Sequence, residues 1–281
     1  MHPDLRPVIG LLRETAAHEI LPRFRRVHSN QKADGSLVTE ADLAVQERIN
    51  EGLARAFPGI PLLGEEMAAH EQARLLDQGR GPVWILDPLD GTSNFACGYE
   101  GFAISLALIE GGVPVLGAIL DPVRDQCFHA ARGRGAYLDG EPIRPFAPGP
   151  RLGDCLAVID FKRLPPHGVQ SLLRPGGFRS QRNLGAVALE WCWLAAGRFQ
   201  LYLHGGQRLW DYAAGRLIAG EAGVAARLYR RYGTEPAEGL DLDPRLAVAA
   251  ASPALLQPWL NFIQLPLTPE SGTRSAPPAL P

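Results

Sequence analysis

The sequence predicts an α+β or α/β fold, with a mainly antiparallel sheet in its first half and a mixed or parallel sheet in its second. Three observations carry that class. Residues 102–109, 113–120, 126–131 and 136–138 are strand-like runs separated by Gly111-Gly112, Asp121-Pro122 and the stretch from Arg132 to Gly135, the spacing of an antiparallel meander. Further on, strand-like runs at 155–159, 199–203 and 246–251 alternate with helical patterns at 186–196 and 211–222, as in a sheet flanked by helices. The 31 glycines and 25 prolines among 281 residues are too many for a helical bundle and natural for many strands and turns.

In chain order, Leu5, Val8, Ile9, Leu12, Ala16 and Ile20 keep a helical spacing that Pro22 ends. Thr39-Glu40-Ala41-Asp42 has the form of a capping box, and Val45, Ile49, Leu53, Ala56 and Phe57 continue one apolar face until Pro58-Gly59. Leu62-Leu63 is a short apolar run before Gly64-Glu65-Glu66. Residues 83–86 read as a buried strand that stops at Asp87-Pro88, after which Asp90-Gly91-Thr92 makes a turn and starts a helix. The Pro- and Gly-rich stretch 145–150 divides an N-terminal unit, 1–148, from a C-terminal one, 149–264. Residues 265–281, with five prolines, read as a disordered tail.

Composition narrows the function classes. With 28 Lys+Arg against 30 Asp+Glu the formal net charge is −2, which offers no basic face for nucleic acid. Apolar stretches are broken well short of the ~20 residues a membrane span needs. Asp4, Arg6, Arg13 and Glu14 interrupt the N-terminus, so no secretory leader is expected and a cytoplasmic setting is. Cys97, Cys127, Cys155 and Cys192 form neither a CxxC pair nor a dense framework and read as reduced thiols.

The chemistry sits where acids end apolar elements: Asp42, Glu65, the Asp87-Pro88-Leu89-Asp90-Gly91-Thr92 run, and Asp211. Taken singly, Asp42 and Asp211 are helix caps, Glu65-Glu66 a solvated loop, and Asp87 and Asp90 turn formers. Together they make an acid-rich cluster in a near-neutral chain. Two carboxylates three residues apart, with the Leu89 carbonyl between them, suit a hard cation such as Mg²⁺, which combines carboxylates with water and substrate phosphate. The Gly91 and Thr92 amides at a helix start suit the phosphate.

Three motifs in order resemble the inositol monophosphatase family of Mg²⁺-dependent, lithium-sensitive phosphatases. They are Lys32-Ala33-Asp34-Gly35-Ser36-Leu37-Val38-Thr39-Glu40-Ala41-Asp42, Trp84-Ile85-Leu86-Asp87-Pro88-Leu89-Asp90-Gly91-Thr92-Ser93-Asn94-Phe95 and Trp210-Asp211-Tyr212-Ala213-Ala214-Gly215, with Gly64-Glu65-Glu66 between the first two. The resemblance spans about residues 5 to 263. It implies a layered α-β-α-β-α sandwich and two to three Mg²⁺ per site. Glu65, Asp87 and the Leu89 carbonyl would hold the first ion, Asp87, Asp90 and Asp211 the second, and Glu65 would touch a third. Thr92 with Asp42 would help deprotonate the attacking water, and the Gly91 and Thr92 amides would bind phosphate. Lys32, Gly185, Ala186, Val187 and His204 fall at substrate positions, and a homodimer is usual in the family.

The second half departs from the pattern. Gly185-Ala186-Val187-Ala188 lacks a usual hydroxyl, and His204 stands where inositol-specific members carry a Glu that accepts sugar hydroxyls. The expectation is a phosphomonoesterase of a small polyol or sugar phosphate, inositol 1-phosphate first. The alternatives are 3′(2′),5′-bisphosphate nucleotidase, fructose-1,6-bisphosphatase or histidinol-phosphatase activity. A regulatory role without turnover is a further class, since some bacterial relatives contact transcription machinery.

Overall fold

A computed structural model describes residues 5–26, 29–31, 37–77, 81–230, 233, 235–237 and 239–267. Lys32 lies outside these residues, as does 268–281 of the expected tail. Helix α1 (Leu5–Thr15) continues into a wider π-helical turn, Ala16–Ile20. There follow β1 (Ser29–Gln31), β2 (Leu37–Thr39), α2 (Glu40–Ala56), β3 (Leu62–Gly64), α3 (Ala69–Asp77), β4 (Val83–Asp90) and α4 (Thr92–Ala96). The meander is β5 (Ala103–Glu110), β6 (Val113–Asp121), β7 (Gln126–Ala131), β8 (Ala136–Leu138) and β9 (Glu141–Pro142). The remainder is β10 (Leu156–Asp160), α5 (Pro166–Leu172), β11 (Ser180–Arg182), α6 (Val187–Ala195), β12 (Leu201–Gln207), α7 (Leu209–Ala222), β13 (Ala225–Arg230), β14 (Arg245–Ala250) and α8 (Pro253–Ile263).

Strands β3 to β9 form a seven-stranded sheet in sequence order, antiparallel except for β3 beside β4. The second sheet runs β11-β10-β12-β14-β13. Its β11, β10 and β12 are parallel, while β14 is antiparallel to both β12 and β13. Alternation along β4 decides the layering, because neighbouring side chains face opposite ways. Trp84 and Leu86 join Val8, Leu12, Val45 and Ile49 of α1 and α2. Ile85 joins the larger core with Trp191 of α6, Tyr212 of α7, Ala157 and Val248 of the second sheet, and Leu172 and Trp259 of α5 and α8. The five layers are the expected α-β-α-β-α sandwich. Close packing of its middle helix layer requires Gly215 in α7, where a Cβ would come within 2.6 Å of Trp191 Cβ.

The capping box of α2 forms as the sequence predicts. Thr39 N–H and Oγ1–H both donate to Asp42 Oδ2 at 2.7 Å. One boundary differs: β4 does not stop at Asp87 but runs to Asp90, with a break in register against β5 between the two acids. Pro88 cannot donate to the ladder, and the irregularity accommodates it without ending the strand. Leu267, assigned to the tail from sequence, is buried in the larger core. Helices α3, α5 and α8 and strands β1, β2, β9, β11 and β13 add to the elements that the sequence pattern predicts. All four cysteines are free thiols, and among the described residues no helix is long and apolar enough to cross a membrane.

Candidate active site

The site is built around the end of β4. Asp87 and Asp90 are both buried, and Asp87 Oδ1 accepts the Leu89 amide at 3.0 Å. Gly91 turns the chain into α4 at φ +86°, where a Cβ would sit 2.7 Å from the Gly101 carbonyl oxygen. Strand β3, parallel to β4, delivers Glu65 alongside, its amide donating to the Leu86 carbonyl at 3.1 Å. Asp211 enters from the first turn of α7 and accepts the Arg208 amide at 2.8 Å. Asp42 comes from the first turn of α2, its Oδ1 3.4 Å from Thr92 Oγ1. The Thr92 hydroxyl also lies 3.0 Å from the Leu89 carbonyl oxygen, and its single proton serves one of the two.

Asp90 has a second function that no local pattern shows. Its Oδ1 accepts the Val187 amide at 3.1 Å and its Oδ2 the Ala188 amide at 2.7 Å, so it caps α6 from the other half of the chain. A carboxylate at a helix start is favoured by the exposed amides and the helix dipole.

Glu65, Asp87, Asp90 and Asp211 line a cavity of about 250 Å³ together with Leu89, Asp160, Lys162, Arg163, His204 and Arg208. Crowding shows in their proton affinities. Burial first, then Glu65, Asp90, Asp211 and Asp42, drive Asp87 well above the ordinary carboxylate range. Asp90 is pushed up to about 8, chiefly by burial against the opposing pull of the Ala188 amide. Asp211 rises to about 7, through burial and then the charges of Glu65 and Asp90. Burial also raises Asp42. Among the described residues no three His, Cys, Asp or Glu side chains converge into a preformed metal cage. Asp90 is bonded to the first amides of α6 and Asp211 to the Arg208 amide. Each bond uses one lone pair of its oxygen, so this all-oxygen set keeps donor capacity for a hard divalent cation.

The family model for the inositol monophosphatase family matches residues 4–261. The chain belongs to that family. "Inositol monophosphatase 1" of Solanum lycopersicum is 36% identical over 251 residues, 85% of this chain and 86% of the relative. The solved structure of SaIMPase-II with inositol monophosphate bound aligns at a TM-score of 0.70 and 26% identity, over 91% of each chain. An IMPase/NADP phosphatase complexed with Mg²⁺ and phosphate aligns at 0.73 and 25% identity, over 86% of this chain and 88% of its own. The family is one of phosphoric monoester hydrolases, and metal dependence and lithium sensitivity are typical of it.

The remaining expected residues divide. In this family member Gly185, Val187 and His204 line the cavity, whereas Ala186 is buried behind it, its Cβ 3.2 Å from the space a Gly91 side chain would take. His204 is almost wholly buried, and both ring nitrogens are engaged. Nε2 lies 3.1 Å from Asp160 Oδ2, and Nδ1 accepts the Gly206 amide at 3.3 Å. Asp160, Lys162, Arg163 and Arg208 stand outside the sequence motifs; for Asp160 the available signal is an acid closing a buried strand. Gly91→Ala is expected to destabilise the fold by more than about 2 kcal/mol, since left-handed backbone alone costs about 1–2 kcal/mol and the carbonyl clash adds to it. Thermal melting checks this, and an unshifted Tm would contradict it.

Proposed function

We propose that the chain is a Mg²⁺-dependent phosphomonoesterase acting on a small polyol or sugar phosphate, with inositol 1-phosphate the first candidate. The observation that carries this reading is the pocket itself, which brings the buried Asp87 and Asp90 together with the partly buried Glu65 and Asp211. Buried acids in such mutual repulsion are costly unless positive charge compensates them. Glu65, Asp87 and the Leu89 carbonyl would hold one ion, Asp87, Asp90 and Asp211 a second, and Glu65 a weaker third.

Mg²⁺, when bound, supplies charge neutralisation for the phosphate and a lowered pKa for water. The protein's own groups do the rest. The first amides of α4, Gly91 and Thr92, would hold a phosphate oxygen. Asp42 is fixed by both Thr39 donors, so its Oδ1 is left to face Thr92. Its raised proton affinity makes it a stronger base than an exposed aspartate, and the Thr92 hydroxyl offers a route for a proton from the attacking water to Asp42. Asp90, shared between the acid cluster and α6, would fix the cluster against the substrate wall that carries Val187 and Gly185.

A second reading, a bisphosphate-nucleotide phosphatase, is favoured by Lys162, Arg163 and Arg208 on the cavity wall, which suit a second phosphate. Phosphate release from inositol, fructose, histidinol and nucleotide phosphates, with and without Mg²⁺ and Li⁺, decides. The expected result is Mg²⁺-dependent, Li⁺-inhibited release, fastest from inositol 1-phosphate. No Mg²⁺-dependent release from any ester would overturn the phosphatase reading, and release from the nucleotide alone would select the second.

A further inference from the structure

We infer that Asp160, held in place by His204, is the carboxylate that accepts the substrate's free hydroxyls and so sets the preference for a polyol ester. This rests on the phosphatase reading above and adds a specificity-determining residue to it.

The argument begins with the sheet. Strands β10 and β12 are parallel neighbours in which Asp160 and His204 are register partners, so their side chains leave the same face. The Gly206 amide donates to His204 Nδ1, which makes Nδ1 an acceptor and places the proton of a neutral ring on Nε2. That Nε2–H then donates to Asp160 Oδ2 at 3.1 Å. Both imidazole nitrogens are therefore spent within the protein, and His204 has nothing left to offer a ligand. Asp160 does. Its Oδ1 accepts the Lys162 amide at 2.9 Å and its Oδ2 accepts His204, which leaves one lone pair on each oxygen at a side chain that lines the cavity.

The charge state suits the role. Burial alone would raise the Asp160 carboxyl, but the bond and electrostatic attraction of His204, the Lys162 amide and the Arg163 charge together bring it below its ordinary value. It stays an ionised acceptor, and an ionised acceptor matches hydroxyl donors and repels a second anion. A hydroxyl-bearing ester satisfies it. An ester without hydroxyls leaves its remaining lone pairs desolvated and unfilled, which is how polar sites discriminate most strongly. His204 acts only through Asp160 and is a positioning residue.

The test compares kcat/KM for inositol 1-phosphate with kcat/KM for phenyl phosphate, in Mg²⁺, as a ratio. Asp160→Asn keeps the shape and removes the charge. It is expected to lower the ratio about tenfold to a hundredfold, mainly through a higher KM for the inositol ester. His204→Gln retains an N–H at similar reach and should keep most of the ratio, whereas His204→Leu should lose it. A fall in both esters by the same factor, or no fall in either, overturns the assignment. If Asp160→Asn melts below the assay temperature, the His204 pair decides alone, and equal ratios for Gln and Leu overturn it. A wild-type protein that hydrolyses phenyl phosphate but gains nothing from hydroxyls leaves the phosphatase reading standing and defeats this one. Hydrolysis of neither ester defeats this assignment, and the wider panel of esters then decides whether the phosphatase reading stands.

Discussion

Asp90→Asn is expected to lower kcat by more than about a thousandfold and to reduce the Mg²⁺-induced rise in Tm. Replacing outer groups around a metal site already costs about 10–100-fold, and Asp90 is proposed as a direct ligand. The substitution has a second consequence that separates it from a simple loss of fold. Asn offers one carbonyl oxygen where Asp90 offers two to the Val187 and Ala188 amides, so one amide faces an NH₂ group, a cost of about 1–3 kcal/mol. Against that, the variant removes a buried charge whose proton affinity corresponds to a pKa of about 8. At pH 5 the wild-type carboxyl is protonated and there is no charge to remove, so the lost hydrogen bond dominates and the variant is the less stable. At pH 9 without metal the wild type carries the full burial penalty, so the gap closes or reverses. Metal-free thermal melts at the two pH values, beside turnover in Mg²⁺, check both halves. Retained turnover would remove Asp90 from the ligand set.

What could be read in advance follows the range of the interactions involved. The α2 capping box is complete within four residues, and the meander is written in turn residues and strand lengths, so both were legible. The five candidate acids were legible because they stand at the ends of apolar elements, among them β4, α2 and α7. The continuation of β4 through Pro88 was not, because a proline after a strand normally ends it and only pairing with β5 shows the irregularity. Strand β11, Ser180–Arg182, is three polar residues with no apolar alternation, recruited by parallel pairing to β10. The Asp160–His204 pair and the cap that Asp90 places on α6 join distant segments through sheet register and helix packing. No spacing rule reaches them. For His204 the strand alternation turns the imidazole toward the pocket, whose cavity it lines, but carries no sign that both nitrogens are already occupied.

In metal-free buffer the protein is expected to lose stability steadily between about pH 4 and pH 8, and Mg²⁺ is expected to restore it most at the upper end. Asp90 at about 8, Asp211 at about 7, and Asp87 well above its ordinary value all hold protons in the folded state that they release on unfolding in this window. The unfolded chain therefore binds fewer protons than the native one, and the free energy of unfolding falls as pH rises from the ordinary value of 3.8 through these folded values. Below pH 4 both states are protonated and the effect is absent. A divalent cation competes with those same protons, so its stabilisation is small at pH 5 and grows towards pH 8. At a hundred times its dissociation constant one bound ion adds about 2.7 kcal/mol, which for a chain of this size is a rise of about 5–10 °C in Tm. Glu190 supplies the internal control. It is pushed up to about 7 by burial, accepts bonds from Tyr202 and Gly185, and is not among the proposed ligands. Glu190→Gln should therefore flatten the metal-free pH slope while the Mg²⁺ shift persists. A Mg²⁺ shift that is no larger at pH 8 than at pH 5 would mean that the ion binds somewhere other than this acid cluster.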